Sequence, residues 1–272
     1  MINIFGTGFV GSEFAQLCPN AVVNLKTDYK IKTDQVVYFI STVDNYNVLD
    51  NPKLDIETNL ITLMDVLSTG KTRPNLEFNF ISSWFVYGRT ELPAREDAHC
   101  DPRGFYSITK RAAEQLIISY CETFNLNYRI IRLGNVIGPG DKKVSAKKNA
   151  LQYMINCLKN DEPIKLYDNG DHLRDYIDVK DAAAAIKLII EKSPLNNIYN
   201  VGNGEPVRIG DVIEYVYKKI GSKSEITYIK PSHLHNVVQT TDFYLDVTKL
   251  KNLGYKRKIQ LYDTIDRILA EK

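Results

Sequence analysis

The chain has 272 residues, of which 35 are basic and 33 acidic, and its formal net charge is +2. This balance leaves no concentrated basic face for nucleic acid or a membrane surface, and no apolar run approaches the roughly 20 residues of a membrane helix, so we expect neither partner. The four cysteines lack CxxC spacing and no apolar signal-peptide core opens the chain, which predicts a cytoplasmic protein without a disulfide scaffold or a metal site.

The first half of the chain alternates strands with helices. A short apolar strand at 2–5 runs into a glycine-rich turn and then into a helical pattern. Further strands are predicted at 21–25, 36–40, 78–81 and 128–132, with one helix ending at Gly70 and another at about 105–124. Such alternation predicts an α/β fold with a doubly wound parallel sheet covered on both faces.

The second half has short apolar runs between helices predicted at about 181–191, 209–220 and 261–270. We therefore predict a dinucleotide-binding domain over 1–160 and a smaller C-terminal α/β lobe over 161–272 that mainly binds substrate. The segment at about 174–202 is expected to return to the first domain. No repeat or low-complexity linker separates the two parts, so they should pack as one body.

A glycine motif follows the first strand and opens the first helix: Gly6-x-Gly8-x-x-Gly11. The missing side chains permit a tight turn and a close approach of the backbone to a pyrophosphate at the positive helix end. A glycine turn without a ligand is an alternative for the motif alone, but its place at the first strand of an alternating sheet favours a dinucleotide. We predict that Gly6, Gly8, Phe9, Val10 and Gly11 bind the cofactor.

The choice of cofactor is usually decided just after the second strand. A basic residue there favours the 2′-phosphate of NADP, and an acidic residue favours the ribose hydroxyls of NAD. Lys26 is the better-placed residue, which favours NADP, whereas Asp28 keeps NAD as the alternative and Lys26 could equally be an exposed loop lysine. Ser41, after the third strand, is also expected to contact the cofactor.

Tyr106 and Lys110 lie four residues apart on a predicted helix, and hence on one face about one turn apart. A phenol has a free pKa near ~10, and a neighbouring ammonium favours its ionised form. We predict that Tyr106 donates or accepts the proton of a sugar oxygen, and that Lys110 lowers its pKa and binds the cofactor ribose. This spacing also occurs often by chance.

Two hydroxyls, Ser82 and Ser83, end the predicted strand at 78–81. Ligands of parallel sheets bind at the carboxyl ends of strands, where a serine can hydrogen-bond the reacting oxygen. Serines at strand ends are more commonly turn or cap residues, so this feature is informative only in combination.

In this combination the chain resembles the NAD-dependent epimerase/dehydratase family of extended short-chain dehydrogenases. The family order is followed by the glycine turn, SSxxVYG at 82–88, YxxxK at 106–110, RxxNVxGPGD at 132–141, RDYIDVxD at 174–181 and NVG at 200–202. The resemblance implies a Rossmann-type fold and a nucleoside-diphosphate sugar as substrate. It also implies a catalytic triad of Ser83, Tyr106 and Lys110, and a homodimer formed by the helices at 54–69 and 105–124, although the outer faces of these helices could instead be solvated.

The resemblance also implies that Asn135, Asn149 and Arg174 face the substrate. Arg174 is expected to bind the diphosphate bidentately, as a guanidinium can, although an internal ion pair with Asp175 is an alternative. Asn59 is expected either to orient backbone near the catalytic helix or to cap a helix.

Two features depart from the family pattern. Phe5 occupies the place of the family's first glycine, and Gly6 supplies the turn instead. Only about ten residues separate the second strand from the next one, where relatives often carry a helix and a further strand. The adenine side of the cofactor site is therefore predicted to be shortened.

The resemblance also narrows the reaction. Relatives that dehydrate the sugar carry acidic residues directly after the catalytic hydroxyl, and relatives that epimerise C3 and C5 carry a cysteine there. This chain has Trp84 and Phe85, neither of which can transfer a proton. Hydride transfer at C4 alone remains, with Tyr106 handling the proton on oxygen.

Two enzymatic outcomes stay open, namely an NADPH-dependent 4-ketoreductase of a 4-keto-6-deoxy sugar and a 4-epimerase that retains NAD. Lys26, the shortened adenine side and the short chain favour the reductase, and the tail at 253–263 is similar to short nucleotide-sugar ketoreductases. A non-catalytic dinucleotide-binding sensor is a third hypothesis, against which the complete triad argues.

Two further groups are open to more than one interpretation. The basic cluster of Lys142, Lys143, Lys147 and Lys148 is either a solvated loop or a neighbour of a phosphate. Three histidines are either substrate contacts or ordinary surface and packing residues: His172, His233 and His235.

Overall fold

The computed structural model describes residues 1–142, 144–238 and 242–271. Its strands are β1 (Ile2–Phe5), β2 (Val22–Val23), β3 (Gln35–Tyr38), β4 (Glu77–Ser83), β5 (Asn127–Leu133), β6 (Asn135–Ile137), β7 (Ile164–Tyr167), β8 (Leu173–Arg174), β9 (Tyr176–Asp178), β10 (Asn197–Val201), β11 (Val207–Arg208) and β12 (Ile226–Ile229). Its α-helices are α1 (Phe9–Gln16), α2 (Asn47–Asp50), α3 (Leu54–Ile56), α4 (Thr62–Ser68), α5 (Phe105–Phe124), α6 (Ala150–Lys159), α7 (Val179–Lys192), α8 (Ile209–Ile220), α9 (His233–Val238), α10 (Thr248–Asn252) and α11 (Leu261–Ala270). A π-helical turn, Glu57–Ile61, joins α3 to α4, and single 3₁₀ turns form at Trp84–Val86 and Asp168–Gly170.

Six parallel strands form the central sheet in the order β2-β1-β3-β4-β5-β10. Helices cover both faces, because the strands carry apolar side chains on both sides. Phe14 of α1 and Ile186 of α7 pack on one face, and Leu63 of α4 and Ile117 of α5 pack on the other. The predicted α/β fold with a doubly wound parallel sheet is confirmed.

The edge of the sheet beyond β1 is short, as the sequence spacing predicts. Strand β2 has two residues, and the chain from it to β3 forms neither helix nor strand. The Asn24 side chain stabilises this loop, since it accepts from Asn3 Nδ2 at 2.8 Å and donates to the carbonyl oxygens of Asp28 and Lys30 at 2.8 and 3.0 Å. The second strand therefore connects to the third without a crossover helix.

A separate apolar cluster forms the C-terminal lobe. It joins α6, β7, α8 and α11 through residues such as Ile155, Ile164, Val212 and Ile265. Helix α6 packs here although it precedes residue 161, and Phe243 together with neighbouring apolar residues packs against the sheet. Strand β10 lies in the sheet, within the segment expected to return. The boundary at 160 stays a prediction.

No helix in the described part of the chain combines the length and apolarity that crossing a lipid bilayer would require.

Candidate active site

The candidate active site lies at the carboxyl edge of the sheet, where β3 and β4 end beside the first turn of α5. Tyr106, the second residue of α5, is 7% exposed. The side chains of Ser83, which ends β4, and Ser41, which follows β3, lie near enough to its hydroxyl to lower the pKa of the phenol. The structure thus brings three of the predicted site residues together at one point.

Burial governs the ionisation of the Tyr106 phenol. It raises the pKa of Tyr106 to about 12, against smaller lowering contributions from the hydrogen bonds of Ser83 and Ser41. Ser41 Oγ donates its own proton to Asn59 Oδ1 at 3.0 Å, so its oxygen is an acceptor toward the phenol. Tyr106 is therefore protonated at neutral pH and is placed as a proton donor.

Lys110 follows Tyr106 by one helical turn, but its ammonium contacts other groups. Its Nζ donates to the Ile81 carbonyl oxygen at 2.6 Å and lies 4.0 Å from the centre of the Phe80 ring. Burial lowers the pKa of Lys110 to about 7, with Glu114 acting in the opposite direction. The predicted lowering of the pKa of Tyr106 is wrong for this structure, because burial of the phenol dominates and raises that pKa.

A buried ion-pair network lies behind the site and was not predicted. Glu114 accepts from Ser82 Oγ at 2.6 Å, from Arg132 at 3.0 and 2.8 Å, and from Arg111 at 2.8 Å. Burial alone would raise the pKa of Glu114, but the hydrogen bonds and charge of Arg132 hold this pKa below its usual value. Ser82 is thus committed to the network, and Ser83 is the serine at Tyr106. The sequence feature that could have indicated this network is the position of Glu114, one helical turn after Lys110.

The glycine turn has the geometry that a dinucleotide pyrophosphate needs. Gly6 has a φ of +90°, and a Cβ on Gly11 would overlap the Gly6 carbonyl oxygen. Gly8 precedes Phe9 and Val10, the first residues of α1, and no atom lies within 4 Å of where its Cβ would be. The first turn of α1 carries no acidic side chain. Open space before a positive helix end fits a bound pyrophosphate.

The two residues considered for cofactor choice differ in their surroundings. Lys26 is exposed in the loop after β2. Asp28 pairs with Lys32 at 2.6 Å and accepts from the Lys30 backbone N–H at 3.1 Å, and the Lys32 hydrogen bond lowers the pKa of Asp28. The Asp28 carboxylate is therefore engaged within its own loop.

Asn59 links the end of β3 to the catalytic helix. It lies in the π-helical turn, where its Oδ1 accepts from the Thr42 backbone N–H at 2.9 Å and its Nδ2 donates to Thr109 Oγ1 at 2.9 Å. Of the two interpretations of Asn59, the structure supports the orientation of backbone near α5.

Arg174 reaches the site from the lobe side. It is buried, it donates to the Leu173 carbonyl oxygen at 2.8 Å, and its guanidinium carbon lies 5.9 Å from the centre of the Trp84 ring. Burial lowers the pKa of Arg174. Asp175 forms no ion pair with Arg174, since its carboxylate accepts from the backbone N–H groups of Asn203, Gly204 and Leu245 at 2.8, 2.9 and 3.4 Å.

The two predicted substrate asparagines bond to their own surroundings. Asn135 Nδ2 donates to the Asp175 carbonyl oxygen at 3.0 Å. Asn149 precedes α6 with a φ of 55°, and its Nδ2 lies within hydrogen-bonding distance of Val136, Asp141 and Gln152. Asn135 follows β5 at the carboxyl edge, whereas no described contact joins Asn149 to Tyr106 or Ser83.

An aromatic wall stands beside Tyr106. The rings of Trp84 and Phe85 stack at 4.0 Å, and the Trp84 ring lies 4.5 Å from that of Phe243. Phe85 meets the Tyr106 ring edge-on at 5.9 Å. Carbon and indole groups therefore occupy the positions next to the proton donor, as the sequence predicts for this pair.

A cleft of about 610 Å³ opens between the loop at 88–92 and the lobe. His172 and His235 line it, and both also pack locally. His172 Nε2 lies 3.1 Å from Asp168 Oδ2, and His235 Nδ1 lies 2.7 Å from the Tyr46 hydroxyl. His233 is exposed and is not among the cleft-lining residues. The two lining histidines thus face the cleft while bonded to their own neighbours.

Two lysines of the basic cluster form ion pairs, one with helix α2 and one within their own loop. Lys147 lies 3.5 Å from Asp50, and Lys148 lies 2.9 Å from Asp141. Lys143 lies outside the described residues. Within the ranges that the structure describes, no group of three acidic, histidine or cysteine side chains could hold a metal ion.

Curated proteins related to this chain include epimerases and reductases. A "Putative UDP-glucose 4-epimerase" of Methanocaldococcus jannaschii is 27% identical over 86% of this chain and 75% of its own length. A "dTDP-4-dehydro-6-deoxyglucose reductase" of Escherichia coli is 26% identical over 68% of this chain and 57% of its own length. The chain therefore spans only part of these relatives.

Solved structures show the same fold. The UDP-glucose 4-epimerase of Thermotoga maritima with UDP-glucose matches with a TM-score of 0.87 and 20% identity, over 99% of this chain and 97% of that one. RMD from Pseudomonas aeruginosa complexed with NADPH matches with a TM-score of 0.82 and 21% identity, over 99% and 98%. The model of the NAD dependent epimerase/dehydratase family matches residues 22–202. Since that match covers more than half of the sequence, the chain belongs to the NAD dependent epimerase/dehydratase family, as its motifs predict.

Proposed function

We propose that the chain is an NADPH-dependent reductase that delivers hydride to C4 of a 4-keto-6-deoxy sugar linked to a nucleoside diphosphate. The observation that carries this proposal is the pairing of Tyr106 with an aromatic wall. Tyr106 and Ser83 offer protons to one oxygen, whereas Trp84 and Phe85 have no group that could move a proton at a neighbouring carbon. Such a site supports redox at C4 and disfavours dehydration.

In this mechanism a bound nicotinamide would supply the hydride. Tyr106 donates its proton to the C4 oxygen as negative charge develops there. Ser83 Oγ accepts from the Phe85 backbone N–H at 3.3 Å, which leaves its own proton for the same oxygen. The pKa of Tyr106, raised to about 12, keeps the phenol in the acid form that reduction requires. An epimerase would use the same tyrosine as a base in its first half-reaction and as an acid in its second.

Arg174 supports a diphosphate-bearing substrate. Its guanidinium carbon lies 5.9 Å from the Trp84 ring of the aromatic wall, so a sugar at Tyr106 would bring its diphosphate toward the lobe. A guanidinium can bind two phosphate oxygens at once. Asn135 and Asn149 are proposed as flanking contacts, which requires Asn149 to exchange its present internal bonds for substrate.

The direct test combines the protein with NADPH and UDP- or dTDP-linked 4-keto-6-deoxy sugars. We expect the nicotinamide absorbance to fall by one equivalent for each sugar reduced. Constant absorbance, together with co-purified NAD and interconversion of a gluco and galacto pair without added cofactor, would establish the 4-epimerase. The similarity to the M. jannaschii protein named "Putative UDP-glucose 4-epimerase" supports the 4-epimerase as the second candidate. Dinucleotide binding without turnover on the whole panel would indicate a sensor.

We propose NADP as the cofactor, because Lys26, the residue that the sequence predicts beside the ribose, is exposed while Asp28 is bonded within its loop. Lys26→Ala should raise the KM for NADPH about tenfold, the loss of one charge-assisted contact, and leave that for NADH unchanged. Lys30→Ala, a change of the same kind in the same loop, is the control. Equal effects of Lys26→Ala on both cofactors would contradict the assignment.

We propose a homodimer formed through α5 and the segment from α3 to α4. Apolar side chains are exposed on both: Phe105, Ile108 and Leu116 on α5, and Leu54, Ile56 and Ile61 on the other segment. An apolar stripe of this kind is typical of a protein interface. Leu116→Glu should convert the dimer to monomer in light scattering, whereas Gln115→Glu, with the same added charge, should not. A wild-type monomer would refute the dimer.

We propose a cytoplasmic location, since all four cysteines are free and lack partners for disulfide bonds. NADPH-dependent reduction of a nucleotide-linked sugar is consistent with that compartment.

A further inference from the structure

The N-cap residue of the catalytic helix α5 has no side chain, although Ser107 Oγ within the helix accepts the Gly104 backbone N–H at 2.8 Å. The N-cap is Gly104, so no N-cap side chain can accept from the backbone N–H of Ser107 in the first turn. Asn45 accepts instead. Its Oδ1 lies 3.1 Å from that N–H nitrogen and 3.3 Å from Ser107 Oγ, and the Asn45 side chain is fully buried. A residue 62 positions earlier in the chain therefore caps α5.

The neighbouring Asn45 side chain leaves room only for glycine at position 104, whereas the backbone conformation of Gly104 would permit any residue. Its φ of −107° and ψ of 161° are open to any residue. A Cβ at this position, however, would overlap the Asn45 carboxamide. A capping side chain on residue 104 and the cap from Asn45 thus exclude each other, and the chain has the cap that ties a distant loop to the helix.

That loop also contacts the reacting end of Tyr106. Ser41, which begins it, lies near enough to the Tyr106 hydroxyl to lower the pKa of the phenol, and the next residue, Thr42, donates its backbone N–H to Asn59 at 2.9 Å. Asn45, four residues after Ser41, binds the backbone amide directly after Tyr106. The loop at 41–45 therefore binds the main chain directly after this tyrosine and lies beside its hydroxyl.

We propose that Asn45 is a positioning residue for Tyr106, fixing the phenol hydroxyl relative to Ser41 and Ser83 through its bond to the first turn of α5. The proposal rests on the proposed role of Tyr106 in proton transfer. A displacement of about 1 Å at a reacting group can cost a hundredfold in rate. A helix cap with no positioning role would affect stability alone.

Two variants separate positioning from capping. Asn45→Gly removes the cap, and we expect a lower melting temperature and a kcat reduced about ten- to a hundredfold, with little change in the KM for the sugar nucleotide. Asn45→Gly combined with Gly104→Ser lets the serine cap the helix. Position 45 must become glycine because the Cβ of Asn45 would lie only 2.7 Å from the Cβ of a serine at position 104. The double variant should regain the melting temperature while kcat stays low.

Asn125→Ala is the matched control, because Asn125 ends the same helix with a φ of 52° that alanine rarely adopts. It should lower the melting temperature without lowering kcat. A wild-type kcat in Asn45→Gly, or recovery of kcat as well as stability in the double variant, would overturn the proposal.

Amide hydrogen exchange keeps the test independent of the proposed reaction. In the double variant the Ser107 amide should be protected again while the Thr42 amide, in the released loop, exchanges faster than in the wild type. Wild-type protection of Thr42 would overturn the proposal even if the protein turned over none of the sugars. Absence of wild-type turnover with the expected exchange pattern would count against the proposed function alone.

Discussion

Replacing Tyr106 by Phe is expected to lower kcat by about 10²- to 10⁴-fold while the protein stays folded. The change removes the phenol proton that Tyr106 is proposed to donate, yet it keeps the ring that packs edge-on against Phe85. Steady-state kinetics with NADPH and the keto sugar give the rate, and circular dichroism with a melting curve establishes the fold.

Tyr120→Phe is the control for this prediction, because Tyr120 lies on the same helix and packs against Phe124 away from the site. It should have the kinetics of the wild type. Near-normal turnover of Tyr106→Phe would show that another group protonates the sugar oxygen.

Replacing Glu114 by Ala is expected to cost about 3–5 kcal/mol in the free energy of unfolding. Glu114 is fully buried and accepts two hydrogen bonds from Arg132, whose side chain is 1% exposed. Without the carboxylate the guanidinium stays buried without its ion-pair partner, and Ser82 loses its acceptor. Urea denaturation followed by circular dichroism measures the difference.

Glu122→Ala is matched to this change, since Glu122 lies on the same helix but is exposed. It should shift the free energy of unfolding by less than about 0.5 kcal/mol. A loss of less than about 1 kcal/mol for Glu114→Ala would mean that water or another anion compensates Arg132.

The sequence predicts the elements whose signals are local. The helix predicted at about 105–124 forms as Phe105–Phe124, with Gly104 before it and the left-handed Asn125 after it. Helix α6 is not predicted, although Leu151, Ile155 and Leu158 have helical spacing, because its apolar face becomes evident only once the lobe is assembled. The π-helical turn around Asn59 depends on contacts with β3 and α5, which no local pattern encodes.

The site divides in the same way. The position of Tyr106 on a helix face follows from residue spacing, whereas the choice of Ser83 over Ser82 follows from the family resemblance. The direction of the Lys110 ammonium cannot be predicted from the sequence, because its contacts with the Ile81 carbonyl oxygen and the Phe80 ring form only in the folded sheet. The capping role of Asn45 likewise cannot be predicted from the sequence, because its partner lies 62 residues away.

The most direct test of the central claim is a crystal structure with NADP(H) and a sugar nucleotide bound. The account predicts the Tyr106 hydroxyl about 2.6–3.2 Å from the sugar C4 oxygen, with the nicotinamide about 3.5 Å from the sugar carbon. The account would be contradicted if other groups formed the hydrogen bonds to the C4 oxygen while the Tyr106 hydroxyl stayed beside Ser41 and Ser83.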